Sequence, residues 1–172
     1  MEDFTKVHTN HSQKHSDLAG EHFITDIGQL ILFIIFVATI MIDIFLLKFS
    51  TKIMGSLPLL ISIPLFLLFF ITGSYLIMKS HQIIFGKEKK TARFVTEGVF
   101  NIVRHPMYLG SVLLFLSFVF LSYSILSFFV WLIICSFYYF VSKHEEKLLI
   151  SKFGDSYKKY REKVPMFLPF LK

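Results

Sequence analysis

The stretch LGSVLLFLSFVFLSYSILSFFVWLIICSFYYFV, Leu109 to Val141, decides how this chain is arranged. It runs for 33 residues without a single charge. A helix needs about 20 apolar residues to cross the ~30 Å hydrocarbon core of a bilayer. The stretch is therefore too long for one crossing and slightly short for two. Its middle, Leu121-Ser122-Tyr123-Ser124, is a weak polar break. The spacing predicts a tight hairpin of two short helices, over 107–121 and 124–142. A single tilted helix is the alternative.

Working outward, two more apolar stretches precede it. Ile27 to Leu47 is broken only by Gln29, Thr39 and Asp43, and Ile53 to Met78 follows. Each fits one crossing. Across all 172 residues, 54% are apolar and 17% charged, where a soluble domain carries about 25% charged residues. The mean hydropathy of +0.62 disfavours a water-soluble globule and, with the composition, excludes a wholly disordered chain. One cysteine, Cys135, excludes an internal disulfide and gives no CxxC metal signal. The expected fold is an all-α integral membrane protein. It has about four transmembrane helices, a C-terminal helical hairpin and an amphipathic cytoplasmic tail helix. Three regions follow: a polar flexible tail over 1–26, two spans over 27–78, and a functional region over 79–172.

The net charge of +6 matters through its placement. The 79–105 segment carries six Lys/Arg, namely Lys79, Lys87, Lys89, Lys90, Arg93 and Arg104, and the 142–172 tail carries eight. A hairpin puts both on one side, which the positive-inside bias makes cytoplasmic. Four crossings then place both termini in the cytoplasm, at a prokaryotic plasma membrane or an internal membrane. Lys48 and Lys52 on the far side are a mild conflict.

The tail before Asp26 lacks a basic segment followed by an apolar one, so it is not expected to be a signal peptide. His8, His11 and His15 can share a helix face, with His22 beyond them. No carboxylate or cysteine is placed to complete a tetrahedral metal site, and a mobile polar tail is the simpler reading. Asp43 is an intramembrane acid and so a functional candidate, but it lies one turn from the end of its span, where a structural role explains it better. Pro58 and Pro64 are expected to kink the second span, and Gly55 and Gly73 to permit close helix contacts.

Chemistry-bearing residues gather at both ends of the hairpin. Before it stands Gly98-Val99-Phe100-Asn101-Ile102-Val103-Arg104-His105-Pro106-Met107-Tyr108-Leu109-Gly110. Proline suits a first helical turn, so Pro106 begins the first hairpin helix. Arg104 and His105 then sit at its mouth beside exposed backbone N–H groups, a natural anion seat. A basic-aromatic interfacial anchor is the plainer alternative. After the hairpin stands Lys143-His144-Glu145-Glu146-Lys147, either a cation site or a solvated helix turn. Leu149, Phe153, Tyr157, Tyr160 and Val164 then recur at helical spacing, while Lys147, Lys152, Lys158, Lys159 and Lys163 lie largely off that stripe. Gly154 marks a bend within this amphipathic helix, and Val164-Pro165 ends it. Because the hairpin returns to its starting side, one pocket can hold Arg104, His105, Tyr108, Glu145 and Glu146, roofed by the terminal helix.

The blocks Gly98-x5-Arg104-His105-Pro106-x-Tyr108-x-Gly110 and Glu145-Glu146-x2-Leu149-x3-Phe153-Gly154-x2-Tyr157-x2-Tyr160, with Val164-Pro165 and a Leu168-Pro169-Phe170 ending, resemble the isoprenylcysteine carboxyl methyltransferases. They also resemble the wider integral membrane methyltransferases, including phospholipid N-methyltransferases. The likeness covers about residues 80–172. It implies S-adenosyl-L-methionine as cofactor, held by His105, Pro106, Met107, Tyr108 and Glu145. It further implies backbone contacts from a strand-like Ala92–Val95 stretch, so from Phe94 and Val95, and ring packing from Phe100, where the family carries tyrosine. Arg104, Glu145 and Glu146 are the implied catalytic residues. A family histidine is replaced near Ala92-Arg93. A substrate-side arginine falls at Val141, with Lys143 the nearest cation.

The implied reaction is methyl transfer to a lipophilic acceptor, a prenylcysteine-type carboxylate first, then phospholipid or small lipophilic amines and thiols. The implied partners are that acceptor and membrane lipid, not nucleic acid. A sulfonium suits a carboxylate and ring faces. No GxGxxG occurs, so a soluble Rossmann-type cofactor domain is not expected. Two other classes compete. Sterol-type membrane reductases share an Arg-His-Pro-x-Tyr-x-Gly segment but use NADPH, and a small membrane scaffold with basic anchors needs no ligand at all.

Overall fold

The computed structural model describes residues 27–47, 59–86 and 94–167. The expectations for the histidine tail, Lys48, Lys52, Gly55, Pro58, Ala92-Arg93 and the Leu168-Pro169-Phe170 ending lie outside them. Among the described residues there are helices and turns but no strand. The chain divides into two compact units, Met1–Ala38 and Thr39–Lys172, with α1 (Ile27–Leu47) running across the division. In the first unit, α1 presents large apolar side chains outward, Leu30 at 59% and Phe33 at 53% exposed. That pattern suits lipid rather than water as the surrounding medium.

The second unit contains the end of α1 and four further helices. α2 spans Leu59–Gly86, α3 Pro106–Ser122, α4 Ile125–Phe153 and α5 Asp155–Lys163. A helix satisfies every backbone group internally, which is what hydrocarbon demands of a single segment. α1, α2 and α4 are long and apolar enough to cross a membrane. α3 has 17 residues, so it rises about 26 Å, just under a full crossing.

The reversal falls at the expected break. Tyr123 closes α3 in the left-handed conformation, φ 54°, and its N–H bonds to the Val119 carbonyl. Ser124 caps α4 by accepting from the Ser127 N–H at 3.1 Å. The Ser124 hydroxyl also donates to Asp43, which is 1% exposed in the π-helical end of α1. Trp131 of α4 donates its ring N–H to the Val112 carbonyl of α3, 3.0 Å away. α2 and α3 meet backbone to backbone. A Cβ on Gly73 would lie 2.7 Å from the Gly110 carbonyl oxygen, and one on Gly110 would lie 2.8 Å from that of Gly73.

Three expectations need correction. α2 does not end at Met78; it continues to Gly86, so Lys79 and Ser80 ride on the helix. Ser80 bonds the Leu76 carbonyl, and the helix runs on through Pro64. The return helix does not stop at 142 either. Nothing in Lys143–Lys152 breaks a helix, and α4 carries both glutamates in its interior. The amphipathic tail helix is consequently two pieces. Gly154, at φ 55° and ψ −130°, turns the chain between α4 and α5.

Candidate active site

The site forms where the start of α3, the charged end of α4, α5 and the Val164–Phe167 segment converge. Pro106 is the first residue of α3, as its missing N–H favours. It is fully buried, and it sets His105 and Tyr108 against α4. His105 caps α3 by position, with no side-chain capping bond. Its imidazole is therefore available to the acids: Nε2 lies 3.3 Å from Glu146 Oε1 and Nδ1 lies 3.6 Å from Glu145 Oε2.

The other predicted residues gather around this core. Arg104 Nε sits 2.8 Å from Glu146 Oε1, both side chains nearly buried. Its Nη1 donates to the Arg161 carbonyl at 2.7 Å. The Tyr108 hydroxyl donates to Glu145, whose side chain stays 30% exposed. The His105 and Tyr108 rings stack at 5.9 Å, and Tyr108 packs on Tyr138 of α4 at 5.2 Å. Met107 is half-buried on the next position of α3.

Phe94, Val95 and Phe100 are also half-buried, but they are brought in differently from the expectation. Phe94 and Val95 are not in a strand. The Phe94 ring meets Phe153, Tyr157 and Tyr160 at 5.3, 5.2 and 5.4 Å, tying α4 and α5 together. Phe100 lies within the short 3-10 turn Gly98–Asn101, where its carbonyl accepts from the Tyr160 hydroxyl at 2.5 Å. Burial pushes the Tyr160 hydroxyl up to about 12, against the opposing charge of Arg104. Tyr157 is raised further, by burial first and then by the negative charge of Glu146. Both stay protonated and able to donate.

The anion seat needs correction as well. The Arg104 and His105 N–H groups are not open. They donate to the Pro165 carbonyl at 2.9 Å and the Met166 carbonyl at 3.3 Å. The tail segment thus docks on the helix mouth as a backbone clasp, with Phe167 6.0 Å from the His105 ring. Sequence reasoning missed this roof because a backbone carbonyl leaves no side-chain signature. It also missed Tyr138, which becomes visible at helical spacing from Glu145 only once α4 is known to be unbroken.

Chemically, the guanidinium pairs with Glu146, and the less buried Glu145 is bordered by the Tyr108 phenol and the His105 imidazole. That balance seats a compact cation better than an anion. The class that the fold and site define is a helical membrane protein with an acid pair, bordered by aromatic groups, at one end of its hairpin.

The comparisons with known proteins agree with that class. The phospholipid methyltransferase family model matches residues 56–156, and the chain belongs to this family. It is 33% identical over 105 residues to methanethiol S-methyltransferase 1 of Bradyrhizobium diazoefficiens, covering 59% of this chain and 36% of that protein. It is 36% identical over 91 residues to the protein-S-isoprenylcysteine O-methyltransferase of Schizosaccharomyces pombe, covering 52% of this chain and 39% of that one. A methanethiol S-methyltransferase of Crocosphaera subtropica is 34% identical over 86 residues, 49% of this chain and 32% of its own length. The chain thus spans under half the length of each of these relatives. No solved structure gives a significant match.

Proposed function

We propose that this chain is an S-adenosyl-L-methionine-dependent membrane methyltransferase acting on a lipophilic acceptor, with a prenylcysteine-type carboxylate first among the candidates. The observation that carries the reading is the Tyr108–Glu145 and His105–Glu146 cluster, two acids held by aromatic groups at the cytoplasmic end of α3 and α4. The donor set suits the cofactor: when bound, it supplies an electrophilic methyl group on a sulfonium. Glu145 and the rings of Tyr108 and Tyr138 would hold that cation. Arg104 and His105 position Glu146, because the guanidinium is engaged by Glu146 and by the Arg161 carbonyl. The clasp over His105 and the Phe94–Tyr157–Tyr160 cluster shield the Glu146 side of the site from water. Methyl transfer to an anion needs in-line placement more than acid–base help, and placement alone is worth about 7–11 kcal/mol.

A thiol acceptor is the second reading. Lys143, the nearest cation to the substrate-side position at Val141, lies over the Tyr139 ring at 5.3 Å, on a tyrosine that is 42% exposed. Arg104 is committed within the fold. A thiolate requires neither cation. The relatives named for methanethiol favour the same acceptor class.

The test uses the full chain in detergent, with labelled methyl from S-adenosylmethionine offered to N-acetyl-S-farnesylcysteine and to decane-1-thiol. Transfer to either supports the reading, and the preferred acceptor separates carboxylate from thiol. Binding of NADPH with no binding of S-adenosylmethionine overturns it in favour of a reductase. Glu145→Gln is expected to weaken S-adenosylmethionine about tenfold more than the neutral S-adenosylhomocysteine, one charge-assisted contact's worth. Equal loss of both, or loss of neither, removes Glu145 from the sulfonium.

A further inference from the structure

Ser142 carries an inference that the acids alone do not. It lies on α4 one turn before Glu146 and one turn after Tyr138, on a single buried face where the three are 0%, 5% and 4% exposed. Serines in these helices commonly turn back onto their own backbone. Ser136 bonds the Leu132 carbonyl at 3.0 Å, Ser111 that of Met107 at 3.1 Å, and Ser151 that of Leu148 at 2.8 Å. The Ser142 hydroxyl makes no such bond. Apart from Arg104 Nε, which has its ion pair with Glu146, it is the only buried side-chain polar atom without a hydrogen-bond partner among the described residues. The acid on its face is taken, since Arg104 and His105 engage Glu146. A buried hydroxyl left unmatched destabilises a fold, and a ligand atom that accepts from it would recover that cost.

Its depth fits one ligand. Ser142 lies about 6 Å along the α4 axis below Glu146, toward the apolar part of the helix. A polar methyl donor would approach from the charged end, and a lipophilic acceptor from the lipid side, with its head at that depth. We propose that the Ser142 hydroxyl is the acceptor-side donor of this site, hydrogen-bonding the thiolate or carboxylate atom that is to be methylated. The inference rests on the methyltransferase reading and adds a positioning residue for the acceptor. It suits an anionic sulfur or oxygen, which receives a hydroxyl hydrogen bond at the atom to be methylated.

The test compares wild type, Ser142→Ala and Ser142→Thr as full chains in detergent. Three quantities are measured: thermal unfolding, equilibrium binding of S-adenosylhomocysteine, and equilibrium binding of the better acceptor of N-acetyl-S-farnesylcysteine and decane-1-thiol. Ser142→Ala is expected to leave Tm equal or higher and S-adenosylhomocysteine affinity unchanged. It should weaken acceptor binding about tenfold, the loss of one hydrogen bond to a charged atom. Ser142→Thr, which keeps the hydroxyl, should restore most of that binding. Unchanged acceptor affinity in Ser142→Ala overturns the proposal. So does a lowered Tm with equal loss of both ligands, which marks the serine as structural. A wild-type chain that binds neither ligand overturns the methyltransferase reading itself, and that arm is read before any variant.

Discussion

Glu145 and Glu146 are neighbours in sequence and differ in what surrounds them. Glu146 is 7% exposed at its side chain and engages Arg104 and His105, whereas Glu145 is 30% exposed and meets Tyr108 and His105. Removing Glu146 strands a nearly buried guanidinium, so Glu146→Ala should destabilise the fold by about 3 kcal/mol. Thermal unfolding in detergent checks this. Glu145→Gln should shift Tm far less. Tyr160 predicts a pH effect. Burial raises its pKa from 10 to about 12, so the fold holds this proton more tightly than the unfolded chain does. The stability it confers is present below pH 10 and lost as pH climbs toward 12. Tyr160→Phe lacks this ionisable group and should lessen that alkaline decline in a Tm-versus-pH series, with Tyr157 still contributing to it. The sequence named both glutamates and left their difference open, because adjacent residues on a helix point about 100° apart and only packing sets the phase.

Two helix contacts carry the elements. At the α2–α3 crossing the obstacle to a side chain is backbone, which cannot swing aside. Gly73→Ala and Gly110→Ala should each cost about 1–3 kcal/mol through overpacking, read from thermal unfolding. At the α4–α5 corner the restriction is conformational. Nothing lies within 4 Å of a Cβ on Gly154, yet φ 55° with ψ −130° is a region that essentially only glycine occupies. Gly154→Ala should therefore cost about 1–3 kcal/mol and loosen α5 over the site. Limited proteolysis after Phe153 reports that loosening. The reversal at Tyr123–Ser124 was legible because apolar length forced a turn somewhere near the middle of 109–141. The continuation of α4 was not legible. The charged run from Lys143 looks like a helix leaving the membrane, and a helix can leave hydrocarbon without ending.

For the molecule as a whole, the hairpin makes the two polar blocks face one compartment, and the positive-inside bias makes the cytoplasm the expected one. Single cysteines at Asn101 and Lys159, in a Cys135→Ser background, should react together with a membrane-impermeant maleimide only after cells are opened. Labelling of either from outside intact cells reverses the orientation. What the sequence determined by itself was the solvent, the helical class, the reversal and the residue types of the site. In a bilayer, the length of an apolar run and the flanking charges report topology directly. What the tertiary structure decided was pairing and vacancy of hydrogen bonds. His105 meets Glu146 across 41 residues, Asp43 finds Ser124, carbonyls of Pro165 and Met166 close the helix mouth, and the Ser142 hydroxyl is left unmatched. Those outcomes depend on helix phase and on backbone groups, and neither is written in the identity of any one residue.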